Sequence, residues 1–142
     1  MVTAADSSVL LDVIFDDPVH VRTSAAALRE AHAQGTLVVS ECVVAEVGPA
    51  LEGEQLTKFL RDWEIVFVPS TLESATLAAE IFRRYLTRGG RRGRIVADFL
   101  IGAHAQLHAD RLLARDRGFY RDYFSKLDLW DPSRPGVGTD RP

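Results

Sequence analysis

Four carboxylates stand where their neighbours argue against carboxylates. Glu46 interrupts an apolar stripe formed by Cys42, Val43, Val47 and Ala50. Asp98 lies inside residues 95–101, IVADFLI, among the most apolar stretches of the chain. Asp6 terminates the short apolar run at residues 2–5, and Asp116 lies just beyond the run at residues 111–114. Buried carboxylates are rare unless a cation pairs with them. Each acid also has an ordinary reading. Asp6 can cap a helix, Asp116 can sit in a turn before Gly118, and Glu46 or Asp98 can pair with a nearby arginine.

If the four converge, their chemistry is constrained. Two carboxylates about 4 Å apart repel by about 4 kcal/mol at an effective dielectric near 20, and further pairs compound the cost. Such a cluster takes up protons or recruits a cation. An all-oxygen donor set without cysteine or histidine favours Mg²⁺ or Mn²⁺ over zinc. A divalent ion held by carboxylates activates water and neutralises a scissile phosphate, which is the equipment of phosphodiester hydrolysis.

The elements that would bring these acids together are legible from hydrophobic period and punctuation. Residues 2–5 read as a first strand, followed by a helix carrying Val9, Leu10, Val13 and Ile14 with Ser7-Ser8 as its cap. Asp17-Pro18 starts a second helix that Gly35 stops, and residues 36–39 form a β-branched strand with Ser40 capping the helix after it. Residues 53–63 read as a helix, 65–68 as a buried strand closed by Pro69, and 71–88 as a long helix. Residues 89–93, GGRRG, form a basic loop, and 95–109 a strongly apolar helix. Short strands follow at 111–114 and 127–130. Strands alternating with helices predict an α/β fold, a central and mainly parallel sheet of four to five strands flanked by helices. In such a sheet ligands are held at the carboxyl ends of the strands, and Asp6 and Asp116 both fall at that edge.

Composition sets outer bounds. The 142 residues, 46% hydrophobic and 26% charged, suit one domain and exclude intrinsic disorder. No apolar stretch is long enough for a membrane span, and the opening residues lack the pattern of a signal peptide. A single cysteine, Cys42, excludes an internal disulfide framework and fits a soluble protein of the reducing cytoplasm. The net charge of −3 argues at first against a nucleic-acid partner. The distribution reverses this, because Arg83, Arg84, Arg88, Arg91, Arg92 and Arg94 crowd into one segment, and binding follows the local field. Residues 1–131 carry the core pattern, and 132–142, PSRPGVGTDRP, read as a mobile tail.

The motifs resemble those of the PIN-domain ribonucleases, and among them the VapC toxins of toxin–antitoxin pairs. VTAADSSVLLDVIF is similar to the family's opening, VVSECVVAEV to its second motif, IVADFLIGAHA to its third and LLARDRGFY to its fourth. The resemblance runs from residue 2 to about residue 131 and implies a single PIN-like domain. It implies that Asp6, Glu46, Asp98 and Asp116 hold one or two Mg²⁺ or Mn²⁺ ions, with the Ser8 hydroxyl beside the first acid. The implied activity is endoribonuclease hydrolysis by metal-activated water, leaving 3′-hydroxyl and 5′-phosphate ends. The implied partners are an RNA substrate, a small VapB-like antitoxin, and a second copy in a homodimer. Residues 18–34 and 54–63 are the expected partner surface. Two positions depart from the pattern: Ala114 stands where Thr or Ser is frequent, and Arg117-Gly118 where some members carry another acid. Both departures bear on a second metal position.

Other features are weighed beside this reading. Arg91, Arg92 and Arg94, with Arg115 and Arg117 flanking Asp116, are expected to contact RNA phosphates; the alternative is a solvated helix end. His104 and His108 are spaced like a zinc-protease pair, but the glutamate of that motif is absent and His104 lies about 240° round the helix from Asp98. Gly102 and Ala105 share the Asp98 face, and Phe119 and Tyr120 read as packing residues. A receiver domain would need adjacent acids after the first strand, where Ser7-Ser8 stands. The competing function is a non-catalytic PIN-like module that binds RNA or protein.

Overall fold

A computed structural model of the protein describes residues 1–91, 96–116 and 118–134. Five strands form one wholly parallel sheet in the order β3-β2-β1-β4-β5. They are β1 (Val2–Ala5), β2 (Thr36–Val39), β3 (Ile65–Phe67), β4 (Arg111–Leu113) and β5 (Leu129–Trp130). Helices α1 (Ser7–Ile14), α2 (Val21–Gln34), α3 (Glu41–Val47), α4 (Gln55–Asp62), α5 (Leu72–Thr87), α6 (Val96–His108) and α7 (Phe119–Tyr123) flank it. This is the expected α/β architecture.

The chain places β1 first and at the centre. It then builds outward through β2 and β3 before returning to lay β4 on the other side of β1. The reversal of direction between β1 and β4 is a topological switch point, where helices leave the sheet to opposite sides and a crevice opens beyond the strand ends. Burial follows that order: Thr3, Ala4 and Ala5 of β1 and all three residues of β4 are buried. Even Arg111 is enclosed, its Nε donating to Thr3 Oγ1 at 2.9 Å while its guanidinium lies 4.3 Å from the Trp130 ring centre.

Local details depart from expectation for identifiable reasons. The cap of α1 is Asp6 rather than Ser7-Ser8, since the Asp6 carboxylate accepts the Ser8 N–H at 3.1 Å. Helix α2 starts at Val21 rather than Pro18, because Asp17 Oδ1 takes the N–H groups of Val19 and His20 and holds those residues in a turn. Ser40 occupies the cap position of α3, yet its side chain makes no capping bond. Strand β3 is not buried. Only Ile65 is enclosed, whereas Val66 and Phe67 are 47% and 49% exposed on an edge strand that pairs with β2 alone. Its apolar composition does not encode its place at the edge. Gly35 is needed for proximity, because a Cβ there would lie 1.8 Å from the Met1 carbonyl oxygen.

Helices α5 and α6 pack together through an aromatic cluster. Phe99 lies 5.0 Å from Phe82, 5.3 Å from Tyr85 and 4.8 Å from Phe119, ring centre to ring centre. The start of α6, which carries Asp98, is thereby held against α7. Gly102 allows that approach: an added Cβ would fall 2.5 Å from Phe124 Cζ. Its smallness therefore serves aromatic packing. His104 is 1% exposed, and its Nε2 lies 2.7 Å from the Val68 carbonyl oxygen. Burial lowers its pKa, so the neutral ring donates to that carbonyl and joins α6 to the end of β3. His104 is therefore structural.

Candidate active site

The switch point delivers two acids directly. Asp6 follows β1 and Asp116 lies three residues past the end of β4, and they are 7% and 6% exposed. Both carboxylates also cap helices. Asp6 caps α1 through Oδ2, while Asp116 takes the Tyr120 N–H on Oδ1 at 3.1 Å and the Arg121 N–H on Oδ2 at 3.3 Å, at the start of α7. The capping and turn readings of these two residues are therefore true. Capping leaves lone pairs free, so it does not compete with a role in the site.

Asp98 arrives from the first turn of α6 and is half-buried. It has no hydrogen bond or ion pair among the described residues. Desolvation, followed by the charges of Asp6 and Glu46, raises its pKa from 3.8 to about 6. Glu46 departs from expectation in burial: the residue is exposed, at the rim rather than inside. It is nonetheless tied in, since Ser7 Oγ donates to Glu46 Oε1 at 3.1 Å. Its pKa is raised by desolvation and by Asp6, against the lowering effect of Ser7. Three acids from separate elements thus sense one another.

A cavity of about 410 Å³ opens between them. Asp6, Asp98 and Asp116 line it, together with Ser8, Arg115, Phe119 and Tyr120. Glu46 is not on that wall and acts from beside it. No arginine neutralises Asp6, Glu46, Asp98 or Asp116 among the described residues. Arg115 lines the cavity, but its guanidinium grips Asp12, Nε to Oδ2 and Nη2 to Oδ1, both at 2.8 Å. The Ser8 backbone N–H bonds Asp6 Oδ2, and its hydroxyl accepts the Arg115 N–H at 3.2 Å. Arg91 is exposed, its backbone bonded to the Tyr85 hydroxyl. Arg92, Arg94 and Arg117 lie outside the described residues.

Whether these oxygens suit a hard dication turns on their number and charge. Among the described residues, no three His, Cys, Asp or Glu side chains stand close enough together to hold a metal ion. Mg²⁺ does not require three, since it keeps several waters and binds through one or two carboxylates. The donor set is all oxygen, mutually repulsive and without a cationic partner among the described residues, and on that chemistry the residues fit.

Sequence reasoning missed several contributors. Tyr120, read as packing, donates its hydroxyl to Asp6 Oδ1 at 3.0 Å and is 5% exposed. Burial, then the charges of Asp6 and Asp98, push its pKa well up, so it keeps its proton and remains a donor. Ser7 tethers Glu46. Asp12 and Asp131, each 3% exposed, are as buried as the acids singled out. Asp12 also accepts from Ser24 Oγ at 2.7 Å, and Asp131 Oδ2 accepts the Asp116 N–H at 3.0 Å. Asp12 had a visible signal, an acid amid the apolar residues of α1; the partner that explains it lies 103 positions away.

The fold and site together define a parallel α/β domain with an acidic crevice at its switch point. The model of the PIN domain matches residues 4–124, and the chain belongs to the PIN domain family. Solved structures share the fold. A chain of the VapBC2 complex of Rickettsia felis, bound to a promoter DNA fragment, is 20% identical with a TM-score of 0.70, the match covering 92% of this chain and 98% of that one. A chain of VapBC-1 from nontypeable Haemophilus influenzae is 16% identical with a TM-score of 0.66, covering 94% of this chain and 100% of that one. A chain of the Neisseria gonorrhoeae FitAcB structure is 22% identical with a TM-score of 0.61, covering 92% and 97%. No curated protein sequence matches the chain. Among the described residues no helix is long and apolar enough to cross a membrane.

Proposed function

We propose that the protein is a Mg²⁺- or Mn²⁺-dependent endoribonuclease, the VapC-like toxin of a toxin–antitoxin pair. The observation that carries this reading is Asp98: a desolvated acid facing Asp6 and Glu46, with its pKa raised to about 6 and no cation beside it among the described residues. Such repulsion is relieved by a proton or by a bound cation, and above that pKa a cation is the relief that remains. Membership of the PIN family and the likeness to VapBC and FitAcB chains support it.

In this reading one or two of the cavity-wall carboxylates Asp6, Asp98 and Asp116 would hold the ion, water would complete its shell, and Glu46 would act from the rim. A dication held there would supply charge neutralisation at the scissile phosphate and would lower the pKa of an attacking water. The protein's own residues prepare that step. Tyr120 fixes the orientation of the Asp6 carboxylate, and Asp116 is held by the two N–H groups it caps. Ser8 lines the cavity, its hydroxyl accepting the Arg115 backbone N–H. Arg115, anchored by Asp12, shapes the wall and lends positive potential, and Arg91, Arg92, Arg94 and Arg117 are the further arginines proposed to contact the RNA backbone. A VapB-like antitoxin and a second copy of the chain are the proposed protein partners.

The test is cleavage of structured RNA by the purified protein in Mg²⁺ or Mn²⁺. Cleavage abolished by EDTA and by Asp98→Asn supports the reading. RNA binding without cleavage in either metal identifies a non-catalytic module instead.

A further inference from the structure

The acidic cavity poses a problem for any polyanionic substrate. Its described walls carry three carboxylates, and the one arginine among them, Arg115, is held by Asp12. Attraction for an RNA strand must therefore come from beside the cavity. A second cavity of about 190 Å³ lies on the other side of Asp116, which lines both. Arg121 and Arg134 line it, from α7 and from the turn after β5.

The charges on this second wall are arranged unevenly. Asp131 also lines the cavity, but its carboxylate is directed at the backbone. Oδ2 accepts the Asp116 N–H, and Oδ1 accepts both the Ser133 N–H at 2.9 Å and the Ser133 hydroxyl at 2.6 Å. Asp116 is likewise occupied by the N–H groups of Tyr120 and Arg121. The guanidinium groups are less engaged. Arg134 donates one Nη to the Asp116 carbonyl at 3.2 Å, with Nε 3.5 Å from Asp131 Oδ2, and its other Nη makes no bond among the described residues. The Arg121 side chain is exposed and forms no ion pair or hydrogen bond among the described residues. Its terminal nitrogen lies where a Cβ on Gly118 would come within 3.4 Å. Gly118, at φ +99°, has no Cβ, so the guanidinium rests against the turn that carries Asp116.

We propose that Arg121 and Arg134 form a phosphate subsite for the substrate strand, next to the acidic cavity and separated from it by Asp116. This rests on the ribonuclease reading and assigns a positioning role to two arginines outside the acidic centre. A strand crossing the Asp116 ridge sets one phosphate among the acids and a neighbouring one against two guanidinium forks, whose planar donors match phosphate oxygens. The contact is with backbone, so it fixes register on the strand without reading bases.

The test uses a fluorescein-labelled oligouridylate, whose backbone is the same whatever the natural target. Its affinity is measured by anisotropy across a NaCl series in EDTA, where the strand stays intact. The double variant Arg121→Gln, Arg134→Gln flattens the dependence of log affinity on log salt by about 0.7 for each lost phosphate contact, about 1.4 in all. The matching double lysine variant keeps most of that slope, and Arg29→Gln, at the opposite edge beside Trp63, leaves it unchanged. In Mg²⁺ the glutamine variant raises KM several-fold for RNA cleavage while kcat stays within about twofold, because uniform binding is what is lost. An unchanged slope and KM in a protein that still cleaves RNA overturn the subsite and leave the ribonuclease reading standing. A parent protein that neither binds nor cleaves RNA overturns both.

Discussion

The Tyr120 hydroxyl donates to Asp6 Oδ1 at 3.0 Å across 114 positions of sequence, while the backbone N–H of the same Tyr120 donates to Asp116. One residue therefore ties together the two acids that the switch point delivers. Tyr120→Phe keeps the ring that packs against Phe119 and Phe124 and removes only the donor. A hydrogen bond to a charged group is worth about 1.5–3 kcal/mol. We expect kcat to fall by about tenfold or more, with KM nearly unchanged and the thermal midpoint lowered only slightly. A variant with full kcat would show that the hydroxyl does not position Asp6.

Asp98 gives the metal-free protein a pH dependence of defined sign. Its pKa is about 6 in the folded chain against 3.8 as the ordinary value. Between these values the folded state binds the proton more tightly, so stability is lost as pH rises through that window and the cost persists above it. Asp98→Asn does not titrate there. Urea denaturation in EDTA at pH 7.5 should find the variant more stable by about 1–2 kcal/mol, the full shift being discounted for solvent screening. The gap should close near pH 4. A variant less stable than the parent at pH 7.5 would contradict the repulsive cluster.

Arg115 and Asp12 form a partly enclosed pair, with Asp12 only 3% exposed. Removing the cation leaves a buried, unpaired carboxylate, which costs about 3–5 kcal/mol. Arg115→Ala should therefore destabilise strongly in a denaturation experiment. Adding Asp12→Asn, which keeps an acceptor for Ser24, should recover most of the loss. Losses that simply add across the double variant would refute the coupling.

The sequence revealed the frame of this molecule more readily than its joints. Alternation of short β-branched runs with amphipathic segments exposed all five strands, because period and punctuation are local. The acids at 6, 98 and 116 stood out because each broke an apolar pattern or ended a strand. What escaped notice depends on distant partners. Tyr120 in an aromatic stretch looks like core until Asp6 is beside it, and Arg115 looks free until Asp12 takes its guanidinium. Val66 and Phe67 look like a buried strand because nothing local marks the edge of a sheet. Glu46 interrupts an apolar stripe, yet its helix ends beside solvent, so its carboxylate reaches the cluster from outside through Ser7.

The most direct measurement is calorimetric titration of Mn²⁺ into the chelator-stripped protein, Asp98→Asn and Glu46→Gln, all at pH 7.5 without RNA. If the carboxylates of Asp6, Glu46 and Asp98 act on one ion, the parent binds Mn²⁺ and both variants lose about tenfold or more in affinity. Equal affinity in all three proteins, or no binding by the parent, would mean that these acids do not act as a single site.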